Sequence, residues 1–433
     1  MAQLYTSDIL IQNGKVVRPG MSTTVANILI RSGTISGIRR GLKTSAQCEV
    51  IDAKGKLVCP GFIDLHTHLR EPGFEYKETI QTGSAAAVAG GFTSICCMPN
   101  TNPVNDNKAV TEFILEKSRL AGLARVLPIG AITARLAGDE LAVIGELASS
   151  GCVALSDDGH PVSGSLIMRR AMEYAKALGL TIVDHCEDRE LSKHGVMHEG
   201  EVSTTLGLLG IPSAAEDVIV ARDIALAEMT GCRLHLAHVS TSGAVRLVRE
   251  AKARGVSITA EACPHHFILT DEAVGDFDTH AKVNPPLRAE SDVQAIRAGL
   301  ADGTIEVIAT DHAPHASEEK EQEFDRAPFG ISGLETALGL TLSLVEDGIL
   351  DLESAIRALT SNPAKAFGLD GGDLREGGKA DITIVDPNEE WEVDPSTFRS
   401  KGRNTPFAGR MLKGKVVTTI VGGKVVFSTN KDI

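Results

Sequence analysis

The pair His66-Thr67-His68 carries the strongest chemical signal in the chain. Residues two apart on a strand share a face, so both imidazoles can grip one metal ion while Thr67 turns away. Such a pair also arises by chance, and its weight comes from the company it keeps. His185, His238 and Asp311 each close a β-rich run, Asp157-Asp158 follow another, and Asn100 and Asn284 follow two more. Taken singly, a strand-end histidine can cap a carbonyl and an aspartate can cap a helix. Four histidines with at least two carboxylates exceed the needs of one tetrahedral zinc. They suit two ions bridged by a carboxylate and a hydroxide. Asp311 beside the bridging water could take its proton during attack and return it to a departing nitrogen.

These residues need a scaffold that brings strand ends together. Eight short β-rich runs alternate with helical stretches: Phe62–His66, Thr93–Met98, Arg125–Gly130, Cys152–Ser156, Thr181–His185, Arg233–His238, Ser257–Glu261 and Glu306–Thr310. Helical candidates between them include Ile167–Ala177 and Ala214–Met229. Repeated βα units of this number predict an α/β fold, a (β/α)₈ TIM barrel spanning residues 60–371, with every C-terminal strand end on one rim. Before it, Leu10–Cys59 alternates apolar and polar residues around Asn13-Gly14 and Lys54-Gly55, which predicts short antiparallel strands. Strand language returns in Asp381–Val385 and Lys415–Phe427, and the run around Gly422-Gly423 echoes the one around Asn13-Gly14. Residues 1–59 and 372–433 are therefore expected to meet in one small β-domain.

Composition narrows the function classes. With 42% hydrophobic and 23% charged residues, the 433-residue chain has material for a large core. A net charge of -14 disfavours nucleic-acid or anionic-membrane binding as the main activity. The eight cysteines lack the CxxC spacing of a zinc ribbon and read as reduced thiols. No basic-led apolar leader and no membrane-length apolar run are present, so a cytoplasmic location is expected.

The motifs HTHLREPG at 66–73, MPNTNP at 98–103, DDG at 157–159, HCED at 185–188, HVS at 238–240, NPPLR at 284–288 and DHAPH at 311–315 resemble the dihydroorotase family of the amidohydrolase superfamily. NGKVV at 13–17 and VGGKVV at 421–426 resemble the small β-domain of that superfamily. The resemblance implies zinc-dependent, reversible hydrolysis of the cyclic amide of dihydroorotate to N-carbamoyl-L-aspartate, in pyrimidine biosynthesis. It implies two zinc ions, one held by His66, His68, Asp158 and Asp311, the other by His185, His238 and Asp158. Asp157 competes with Asp158 for the bridge, because a register error of one residue exchanges them. Hydantoinases, allantoinases and another dihydroorotase type place a carboxylated lysine there, and no lysine occurs between Gly151 and Met168.

For the substrate, the resemblance implies contacts from His68, Arg70, Asn100, Asn284 and His315, with Arg70 clamping the ring carboxylate through paired hydrogen bonds. The allantoinase pattern lacks this arginine. The charged stretch SEEKEQEFDRA after Asp311 reads alone as a solvated loop and, by its place, as a lid, to which the resemblance adds ring contacts from Phe329 and Gly330. His235, three residues before His238, is expected to face the opposite way and pack under a helix; His160, His194, His198 and His280 fall in loops or polar segments, and His265-His266 support the rim. The alternatives are hydantoinase or allantoinase chemistry, and a non-catalytic scaffold. A homo-oligomer is expected, with aspartate transcarbamoylase as an assembly partner of some family members.

Overall fold

The computed structural model describes residues 8–42 and 48–429. The chain opens with Ile9–Arg18 (β1), Met21–Arg31 (β2), Thr34–Arg39 (β3), Glu49–Asp52 (β4) and Leu57–Pro60 (β5). It continues through Phe62–Thr67 (β6), Phe92–Cys97 (β7), Arg125–Gly130 (β8), Ala154–Ser156 (β9) and Thr181–Asp184 (β10). Two short strands, Met197–His198 (β11) and Gly210–Ile211 (β12), precede Arg233–Leu236 (β13), Ile258–Ala262 (β14) and Val307–Ile308 (β15). Ile382–Glu392 (β16), Met411–Val421 (β17) and Lys424–Ser428 (β18) complete the strands.

The strands β6 to β10 and β13 to β15 pair in parallel, each with its successor. Strands buried on both faces read as continuous apolar runs, and β6, β7 and β10 are buried at every position. The seam between β15 and β6 is closed by side chain and bridge. Buried Asp64 accepts from His66 N at 3.0 Å, Thr310 N at 3.1 Å and Thr310 Oγ1 at 2.5 Å. One step further, His68 N donates to His312 O at 2.8 Å. The result is a nearly closed (β/α)₈ barrel. Its interior is filled by Ile63, Leu65, Val183, Ala237 and Val307 against Phe367, while Leu234 and Leu236 point outward under the helices. Side-chain caps start several of these helices: Thr79, Asn107 and Thr241 each accept from a first-turn amide.

Both chain ends share the second sheet, ordered β18-β17-β16-β5-β1-β2-β3 with β4 also on β1. Antiparallel hairpins join β1, β2 and β3, as expected. Contrary to expectation, β4 and β5 run parallel to β1, alongside its first and second halves. Asn13-Gly14 is not a turn: it is a bulge within the ten-residue β1, with Asn13 at φ 61 and the register shifting between Ile11 and Gly14. Asparagine tolerates that backbone, so the pair extends a strand through a kink instead of reversing it. Where the ends meet, a Cβ on Gly33 (φ +79) would stand 2.8 Å from the Gly422 carbonyl, an approach only glycine allows. The sheet is tied to the barrel by Arg125, whose Nη1 and Nη2 lie 2.6 and 2.8 Å from the Asp381 carboxylate. Among the described residues no helix is long and apolar enough to cross a membrane.

Candidate active site

The barrel strands end early, and the chemistry sits just past their ends. His185 is one residue beyond β10, while Asp158 and His238 are each two beyond β9 and β13. Asp311 follows β15 by three. His238 and Asp311 hold φ at 31 and 46, and Arg70 at 61, a left-handed backbone that costs about 1–3 kcal/mol at a residue with a Cβ. Such strain clusters where surrounding contacts over-determine a functional geometry.

These turns bring the expected metal ligands onto one point. Asp158 Oδ1 lies 3.3 Å from His66 Nε2, and 3.5 Å from both His185 Nδ1 and His238 Nε2. Its Oδ2 lies 3.4 Å from His68 Nε2. Asp311 Oδ1 stands 3.0 Å from His68 Nε2 and 3.4 Å from His66 Nε2. Asp157, the rival, points away and accepts from Ile132 N at 2.7 Å, Thr133 N at 3.0 Å and the Thr133 hydroxyl.

Although buried, His66 Nε2, Asp158 Oδ1 and His238 Nδ1 have no hydrogen-bond partner. An unpaired buried polar atom is costly, and His66 Nε2 and Asp158 Oδ1, 3.3 Å apart, fit a shared cation. His66, His68 and Asp311, and again His66, Asp158 and His238, form groups tight enough to hold an ion. Burial opposes charge on Asp158 and Asp311, but the histidines outweigh it and hold both carboxyls below their usual range.

Two glutamates with no assigned role in the sequence, Glu261 and Glu187, complete the arrangement. Glu261 Oε1 lies 2.7 Å from His66 Nδ1, and its Oε2 lies 2.9 Å from His235 Nε2. His235 therefore lies on the same interior face as Glu261, edge-on to Phe367 at the end of the helix Ser361–Phe367, and not on the outer face of the strand as expected. The parity argument failed because β13 stops at Leu236 and the backbone turns before His238. Glu187 Oε2 takes His185 Nε2 at 2.9 Å and Asn284 Nδ2 at 3.1 Å. A buried acid inside an apolar strand, or two residues after a strand-end histidine, was the available sequence signal. His266 Nε2 braces the rim at Pro285 O, 2.9 Å away, whereas His198 is a buried strand residue and not a loop one.

A cavity of about 180 Å³ opens above the ligands, lined by Arg70, Asn100, Val283, Asn284, Phe329 and Gly330 among others. Asn100 Oδ1 touches His68 Nδ1 at 3.0 Å. His315 stands behind this wall, its Nε2 2.8 Å from the Phe329 carbonyl. The stretch after Asp311 is anchored as well as charged: Lys320 is buried, donating to Thr279 O at 2.9 Å and Pro328 O at 2.8 Å, while Lys282 Nζ donates to Phe324 O at 2.6 Å.

A parallel barrel with this histidine–aspartate rim defines a metal-dependent amidohydrolase. The amidohydrolase family model matches residues 201–427, and the dihydro-orotase-like model matches residues 55–244. The chain is 58% identical over 420 residues to a dihydroorotase of Pelotomaculum thermopropionicum, covering 96% of this chain and 98% of that one. It is 55% identical over 429 residues to a dihydroorotase of Anaeromyxobacter sp. (strain K), covering 98% and 99%. The chain belongs to the dihydroorotase family. Among solved structures, an L-hydantoinase from Arthrobacter aurescens superposes with a TM-score of 0.87 at 27% identity, covering 99% and 98% of the two chains. A dihydropyrimidinase from Brevibacillus agri does so with 0.85 at 26%, covering 98% and 96%.

Proposed function

We propose that this rim opens and closes the ring linking dihydroorotate and N-carbamoyl-L-aspartate, with the carboxylate of the substrate read by Arg70. The observation that carries this reading is a guanidinium on the wall of a cavity also lined by His68, Asp158, His185, His238 and Asp311. Identity of 55% and 58% to dihydroorotases, against 27% and 26% to the L-hydantoinase and the dihydropyrimidinase, supports it over the hydantoinase alternative.

His66, His68, Asp158 and Asp311 would hold one ion, and His185, His238 and Asp158 the other, with Asp158 as the bridge. Zinc suits this imidazole-rich set. When bound, such ions supply Lewis acidity, polarising a carbonyl and acidifying water. Asp311 accepts the proton of the attacking water and delivers it to the amide nitrogen as the C–N bond breaks. His68, Asn100 and Asn284 orient the ring, and Arg70 clamps its carboxylate. The Phe329–Gly330 backbone, with His315 behind it, closes the remaining edge and limits water.

The same reading divides the chain at 59/60 and 371/372 and, with eight unpaired cysteines, places it in a reducing cytoplasm. It also carries the homo-oligomer and the association with aspartate transcarbamoylase, which sedimentation of the chain alone and with that enzyme would check. The direct test is ring opening of dihydroorotate, with the N-carbamoyl-L-aspartate formed quantified by chromatography. Turnover should vanish on chelation and return with Zn²⁺ at about two ions per chain. A fully metal-loaded protein that leaves dihydroorotate intact would refute the reading.

A further inference from the structure

His315 is held from three sides, and the contacts decide which nitrogen carries its proton. Its Nε2 lies 2.8 Å from the Phe329 carbonyl, which can only accept, so Nε2 must be protonated. Nδ1 is then an acceptor, and Lys77 Nζ stands 3.3 Å from it. Lys77 also pairs with Glu319 Oε1 at 2.8 Å, while the other Glu319 oxygen lies 3.4 Å from Nδ1. The opposite tautomer would donate from Nδ1 to Glu319 and accept at Nε2 from Arg70 Nη2, 3.4 Å away. It would also press the Nε2 lone pair against the Phe329 oxygen, and two long contacts do not offset that repulsion. Burial first, then Arg70, Lys77 and Lys320, keep the ring neutral, holding His315 at about 2.

We propose that Lys77 is a positioning residue: it fixes neutral His315 with its proton on Nε2, and through that N–H holds the Phe329–Gly330 edge of the pocket beside Arg70. Gly330 leaves no slack in this wall, since a Cβ on it would lie 3.0 Å from His315 Cδ2. Without the ammonium, Glu319 loses its ion-pair partner and is free to close on Nδ1 from 3.4 Å, which draws the single ring proton from Nε2 to Nδ1 and leaves the Phe329 carbonyl without its donor. The effect on catalysis rests on dihydroorotate binding against this edge; the tautomer itself does not.

Two readouts test this. In the wild-type protein, long-range spectra of ¹⁵N-labelled histidine, with His315 assigned by its loss in His315→Gln, should show protonated Nε2 and bare Nδ1. In Lys77→Met the proton should move to Nδ1, KM for dihydroorotate should rise about tenfold, and kcat should change by less than about threefold, the signature of one weakened charge-assisted contact outside the reacting atoms. Lys77→Arg should keep the wild-type tautomer. Adding Glu319→Gln to Lys77→Met removes the competing acceptor and should bring KM back to within about threefold of wild type, a non-additivity that general destabilisation would not give. Protonated Nδ1 in the wild-type spectrum overturns the proposal even if no variant folds. So does a raised KM in Lys77→Met with the proton still on Nε2. A wild-type protein that shows the expected tautomer yet leaves dihydroorotate untouched would defeat the substrate reading and leave the role of Lys77 standing.

Discussion

His185 and His238 face Asp158 from strand ends that meet only in the folded barrel. His185→Ala or His238→Ala should therefore lower bound metal and turnover together, as read by elemental analysis and assay of the same sample. Glu261 acts one contact further back, holding His66 Nδ1. Glu261→Gln should cost about 10- to 100-fold in metal affinity or activity, the usual effect of loosening a ligand's support. His235→Ala, which removes the partner of the other Glu261 oxygen, should show a smaller loss of the same kind. Asp311→Asn, loaded with metal, should still bind substrate but lose about 10²- to 10⁴-fold in kcat, the span of general acid–base catalysis. Activity near wild type there would remove Asp311 from proton transfer. The histidine–aspartate cluster was legible because each member punctuates a β-rich run; Glu187, Glu261 and Lys77 were not, because their meaning lies in a partner 97, 195 and 238 residues away. Nor could pattern alone orient Asp157 and Asp158, which the Thr133 turn decides.

At the scale of elements, the eight barrel runs were readable from apolar continuity, and the sheet at the chain ends from its turn pairs. What misled was local chemistry with two solutions: Asn13-Gly14 suits a hairpin and a bulge equally, and the pairing to β4 chose the bulge. The charged stretch after Asp311 was half legible, since its charge suggested solvent while Lys320 and Phe324 are buried. Lys320 offers a pH test of that anchoring. Burial, reinforced by Lys282, lowers its pKa to about 7 from the ordinary 10.5. The folded state thus releases a proton that the unfolded chain keeps between those values, so this residue's contribution to stability rises with pH across that window and is lowest below about 7. The Tm of wild type relative to Lys320→Met should accordingly increase between about pH 7 and 9. A constant difference would show that the ammonium is not held in a desolvated site.

For the whole molecule, the barrel places the chemistry and the second sheet braces it from the side. Asp381 concentrates that bracing, accepting two bonds from Arg125 and one from Gly422 N at 2.7 Å. Asp381→Ala should destabilise by about 1–3 kcal/mol in denaturant titrations while leaving KM unchanged, because those partners are left unsatisfied far from the cavity. The proposed reading of the substrate rests on the arginine on the cavity wall. The most direct test is the ratio of kcat/KM for dihydroorotate to that for dihydrouracil, which lacks the carboxylate, in wild type and in Arg70→Met with equal metal content. Breaking a buried charge pair costs about 2–5 kcal/mol, so the ratio should fall by roughly 30- to several thousand-fold, nearly all from the loss on dihydroorotate. A ratio unchanged by Arg70→Met would contradict the account, because the guanidinium would then not read the carboxylate.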